Sequence, residues 1–94
     1  ALARARAALP FLDPAKPEHR LMLLYYTDVD NQYGDEVSKR DLQRLMKEMA
    51  EQGVARATAR ARLDSRMLAT PFAVNYPDKA ASRLERTWGI LSGL

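Results

Sequence analysis

Arg56, Arg60, Arg62 and Arg66 recur at intervals of four, two and four residues in a stretch otherwise dominated by alanine and leucine. On a helix turning about 100° per residue they fall within an arc of roughly 160°. Val54, Ala57, Ala61 and Leu68 occupy the opposite side. Such a helix can pack through its small residues and turn four guanidinium groups outward. Guanidinium forks grip phosphate or carboxylate through paired hydrogen bonds, and a row of them gives salt-sensitive affinity for a polyanion. Two other readings fit the same residues: a solvated face, or pairing with Glu48, Glu51 and the acids of residues 28–36, in the same or a neighbouring molecule.

The acids form a second set. Residues 26–52 carry seven acids against four bases, whereas residues 53–94 carry seven bases against three acids. The run Tyr26-Thr27-Asp28-Val29-Asp30-Asn31-Gln32-Tyr33-Gly34-Asp35-Glu36-Val37-Ser38-Lys39-Arg40-Asp41-Leu42 resembles an EF-hand calcium loop. That resemblance implies Asp28 and Asp30 as opening ligands, Gly34 at the sharp turn, Val37 as the small apolar bridge and Asp41 as the closing carboxylate. Calcium asks for six to eight oxygens converging on one point. The span from Asp28 to Asp41 is fourteen residues against the family's twelve, its closing acid is an aspartate, and residues 53–94 offer no second hand. Aspartate and asparagine also start turns and cap helices with no ion involved.

Catalytic chemistry has little to build on. Tyr25-Tyr26-Thr27-Asp28-Val29-Asp30-Asn31 is similar to the tyrosine-pair segment of conjugative relaxases, whose attack on a phosphate needs a histidine-held metal. His19 is the only histidine, and beside Glu18 it reads as a surface residue. The two tyrosines read as core and boundary positions. The sequence shows neither a phosphate-binding glycine loop nor a glycine-flanked serine nucleophile. No enzyme is expected.

Helices must position these groups. Ala1 to Leu9 alternates alanine and arginine and stops at Pro10, and three of the five prolines lie in the turn from Pro10 to Pro17. Pro17 suits the first turn of a helix to about Tyr26 that is apolar all round and therefore central. Asp28 to Gly34 reads as a break. Ser38, with Asp41 three residues on, starts an amphipathic helix through Leu42, Leu45, Met46 and Met49, and Gly53 closes it. The arginine helix follows over Val54 to Leu68. This helix pair resembles a helix-turn-helix with the arginine helix as reader. Residues 68–76 read as a short extended segment, since Phe72, Val74 and Tyr76 alternate. Asp78 is the expected cap of a last helix whose Ala81, Leu84, Trp88 and Leu91 share one face.

With 94 residues, the chain has room for one core. Apolar content of 47% and charged content of 29% place it with globular domains rather than disordered chains. It has no cysteine, which removes disulfides and thiolate chemistry and fits the cytoplasm or another reducing compartment. Its longest apolar or aromatic run, Leu21 to Tyr26, falls far short of the roughly 20 residues of a membrane span. A start at alanine reads as a processed product or a piece of something larger. The expectation is an all-α single domain, a bundle of four to five helices in which a helix-turn-helix-like pair is one form. Its function is expected to be non-catalytic binding of nucleic acid or an acidic protein surface through Arg56, Arg60, Arg62 and Arg66, with self-association as a further outcome. No cofactor or membrane partner is expected; the alternative is a degenerate EF-hand-like interaction domain that holds calcium at Asp28, Asp30 and Asp41.

Overall fold

A computed structural model describes residues 2–93. Six α-helices follow one another: α1 (Leu2–Ala8), α2 (Pro17–Tyr33), α3 (Lys39–Gln52), α4 (Arg56–Leu68), α5 (Pro71–Asn75) and α6 (Pro77–Ser92). A single 3-10 turn, Gly34–Glu36, joins α2 to α3, and there is no strand among the described residues. The radius of gyration is 12.4 Å, close to the roughly 12 Å expected of a folded domain this long.

Helix α2 is the axis of the bundle. Leu21, Met22, Leu23, Tyr25, Tyr26, Val29 and Tyr33 are all buried on it, and α1, α3 and α6 pack around it. The expected break at Asp28 to Gly34 does not occur: the helix runs seven residues beyond Tyr26. Its continuation has a plain cause. Met22, Tyr26, Val29 and Tyr33 repeat at three- and four-residue spacing and draw the polar stretch along with them, and this tertiary gain outweighs the weak turn preference of Asp28 and Asn31. Gln32 donates to the Asp28 carboxylate one turn back, and the Thr27 hydroxyl donates to the Leu23 carbonyl at 2.9 Å. The helix stops at Gly34, whose φ of 51° suits glycine best.

Helix α3 starts and ends as its sequence foretold. The Asp41 amide donates to the Ser38 hydroxyl at 3.3 Å. At the other end Gly53 takes φ 62°, and two backbone bonds, Gly53 to Ala50 and Val54 to Met49, both 3.2 Å, close a Schellman motif. Leu42, Met46 and Met49 face the core without exposure.

Two other expectations need correction. Residues 71–75 form helix α5 rather than an extended segment. Thr70 caps it, its hydroxyl accepting from the Ala73 amide at 3.3 Å, and Pro71 sits at the first helical position. The alternation of Phe72 and Tyr76 is then a contact one turn apart, with ring centroids 5.4 Å from each other. Helix α6 begins at Pro77 with no side-chain cap, so Asp78 lies in its first turn. Leu84, Trp88 and Leu91 are buried as expected, but Ala80 rather than Ala81 completes the face, and Thr87 joins it.

The core is one continuous cluster that takes in residues from Ala5 and Leu9 near the start of the chain to Trp88 and Leu91 near its end. None of the described helices is long and apolar enough to cross a membrane.

Candidate functional site around helix α4

Helix α4 packs through the middle of its arginine arc. Ala59, Leu63 and Met67 are buried; of the expected packing side, Val54 just before the helix is half-buried against the core, whereas Ala57, Ala61 and Leu68 are exposed. The physical reason is side-chain size: a leucine and a methionine remove far more apolar surface from water than alanines do. As a consequence, the four arginines flank the buried stripe instead of forming one outward row. Arg56 and Arg60 lie on the flank toward α6, and Arg62 and Arg66 on the flank toward α3.

Three of the four are held inside the molecule. Arg60 lies 3.8 Å from the Asp64 carboxylate and stacks over the Trp88 ring at 4.9 Å from its centroid. Asp64 also accepts the Trp88 indole N–H at 2.7 Å, so arginine, carboxylate and indole form one clasp between α4 and α6. Arg62 donates to Gln52 Oε1 at 2.8 Å, and Arg66 binds the Asp41 carboxylate; both contacts tie α4 to α3. Glu48 and Glu51 form no ion pair among the described residues.

Arg56 differs. It is exposed and has neither hydrogen bond nor ion pair among the described residues. It stands at the edge of a groove of about 470 Å³ lined by Pro17, Arg20, Leu21, Leu24, Arg56 and Leu91. Arg20 is the second cation on this rim and has no acidic partner among the described residues. No carboxylate lines the groove among the described residues. A comparable groove on the other flank, about 450 Å³, runs over Leu45, Ala61, Ser65 and Ala69 between Arg62 and Arg66, both already engaged. Sequence reasoning missed Arg20. The signal was present: it precedes Leu21 and stands one turn before Leu24, which places a cation at the border of an apolar stripe.

The acidic residues are dispersed. Asp28 sits inside α2, where its carboxylate accepts from Gln32 and from the buried Thr87 hydroxyl. Asp30, on the same helix, lies 3.4 Å from Arg4 and 3.7 Å from Lys39. Asp41 belongs to the first turn of α3 and is bound by Arg66. The loop that the EF-hand resemblance requires is therefore largely helix. The three acids do not converge, and no group of three or more histidine, aspartate or glutamate residues is placed to hold a metal among the described residues. Glu36 is engaged as well. Its carboxylate takes a 3.1 Å bond from Arg83, whose guanidinium covers the rings of Phe72 at 4.2 Å and Tyr33 at 5.1 Å.

The tyrosine pair lies in the interior. Tyr25 is fully buried against Trp88, with ring centroids 5.2 Å apart, and its hydroxyl has no hydrogen-bond partner among the described residues. Burial pushes its pKa well above the ordinary tyrosine value, and the nearby Asp64, Tyr33 and Asp28 push the same way. Tyr33 is also raised, chiefly by burial, with Arg83 acting against the shift. The Tyr26 hydroxyl accepts from Gln43 at 3.0 Å. His19 accepts the Asp13 amide at Nδ1, 2.8 Å away, and so braces the proline-rich turn.

No protein-family model matches the chain, and neither a curated protein nor a solved structure shows significant similarity to it.

Proposed function

We propose that this chain is a non-catalytic helical binding module that engages an anionic partner, nucleic acid or an acidic protein surface, from the α4 region. One observation carries the reading: Arg56 is the arginine of α4 without an intramolecular partner among the described residues, and it is exposed at a groove free of carboxylates. A cation left unneutralised beside recessed apolar surface is poised for a group the chain itself does not supply. Arg62 adds charge on the other flank, because Gln52, its partner, is neutral.

The reading is tested by titrating the chain against labelled single- and double-stranded nucleic acid and against polyglutamate at two salt concentrations. Binding to at least one polyanion, weaker at the higher salt, is expected. Failure to bind any of them at low salt would overturn it.

A further inference from the structure

We propose that the groove between Arg20 and Arg56 receives an acidic amphipathic segment of a partner protein, an apolar anchor flanked by carboxylates. This rests on the anionic-partner reading and assigns it a place and a chemistry.

The floor decides the class of occupant. Leu21 and Leu91 are only 7% and 6% exposed, and together with the half-buried Leu24 and, at the border, the exposed Pro17 they make a recess. A recess admits an inserted side chain. It suits a bilayer poorly, because membrane-adsorbing faces project their apolar residues outward. The floor contains no aromatic ring, and stacking on aromatic rings is what holds the bases of single-stranded nucleic acid. The rim has two cations rather than a row, too few to follow a phosphate backbone. An aliphatic floor with an arginine at its border matches the helix-in-groove mode, in which apolar anchors are buried and charges set the orientation.

Charge complementarity fixes the sign. Every lining residue is apolar or cationic. A basic or neutral amphipathic segment would bring like charges together or leave both guanidinium groups without partners, whereas glutamates beside the anchor would be gripped bidentately. The floor residues Leu21 and Leu91 belong to the core cluster, and α6 packs against both α2 and α4, so the recess is built before any partner arrives.

The test uses the whole chain and a fluorescein-labelled helical peptide with leucines one turn apart, flanked by glutamates. Two control peptides replace either the leucines by serine or the glutamates by glutamine. Saturable binding is expected, and it should weaken about tenfold or more in each control peptide and in Arg20→Gln/Arg56→Gln protein. Both arginines are exposed, so the variant keeps its helical circular dichroism. Binding that ignores the arginine variant, or that ignores the leucine-to-serine change, overturns the proposal. If the peptide fails to bind while polyglutamate or nucleic acid binds, the groove occupant is refuted and the anionic-partner reading survives; if nothing binds, both fall. A mass that rises with concentration and returns to the monomer in Arg20→Gln/Arg56→Gln makes a second copy the occupant and likewise refutes the proposal.

Discussion

The acidic stretch from Asp28 to Asp41 and the arginine helix α4 look like mirror images in sequence, yet the fold treats them differently. Asp28, Asp30, Glu36 and Asp41 all find partners within the chain, on α1, α3, α4 and α6. On α4, Arg60, Arg62 and Arg66 are engaged as well, but Arg56 has no partner among the described residues. These acids act as internal fastenings between helices, whereas the arginine helix leaves Arg56 unpaired among the described residues, at a groove that Arg20 also lines. An excess of charge in sequence therefore says little about function until the pairs are subtracted.

The largest effect should come from the clasp that joins α4 to α6. Trp88 is buried, touches Tyr25, carries Arg60 on its face and donates to Asp64. Trp88→Ala removes a large ring and takes the indole donor from the Asp64 carboxylate, a loss of about 3–5 kcal/mol. That is a large share of the roughly 5–14 kcal/mol available to a chain this long. Urea unfolding should show the midpoint collapse, with the helical signal reduced even without denaturant.

Asp28 ranks next and separates fastening acids from decorative ones. Its replacement by alanine leaves the buried Thr87 hydroxyl without an acceptor, a cost of about 1–3 kcal/mol. On the usual scaling this is roughly 4–8 °C in Tm per kcal/mol. Asp35→Ala, at an exposed position in the following turn, should leave Tm unchanged. Equal effects of the two would break the view that the acidic stretch is wired inward.

Alkaline pH probes the same seam through Tyr25. Its folded pKa lies above that of the unfolded chain, near 10, so the folded state keeps its proton where the unfolded state has lost it. The corresponding stability is complete below pH about 10 and is lost as pH rises beyond it. Tyr25→Phe should flatten this decline in urea midpoints and carry little penalty at neutral pH, since the hydroxyl it deletes has no partner.

How much of this was legible? Caps and large apolar residues were. Ser38, Gly53 and the Leu84, Trp88, Leu91 stripe announced α3 and α6, because their physics is local. The length of α2 was hidden: Asp28 and Asn31 carry turn preferences, and only burial of Val29 and Tyr33 against other helices overrides them. The face of α4 was hidden by its arginines. Leu63 and Met67 sit within the arc they define, and choosing between alanines and bulky side chains as the packing side needs the neighbouring helices. Nothing in sequence order joins Arg20 to Arg56, thirty-six residues later.

The Asp41 and Arg66 pair should matter least among the fastenings. Both side chains keep more than a third of their exposure, 39% and 44%. Ion pairs in that setting are screened and spend side-chain entropy, so a double-mutant cycle with Asp41→Ala and Arg66→Ala should give a coupling of about 0.5 kcal/mol that fades with salt.

Arg56 should have no effect on stability at all, and that is the sharpest form of the comparison. Fastening residues stabilise the fold because their partners lie in the same chain; a residue kept for an outside partner contributes only when that partner is present. Arg56→Gln should therefore match the parent in urea midpoint, while Asp28→Ala does not. The same variant should weaken binding of the acidic amphipathic peptide, and Asp35→Ala should leave it intact. If Arg56→Gln instead lowers the midpoint as Asp28→Ala does, the arginine is a fastening like the others, and the asymmetry between the two charged regions disappears.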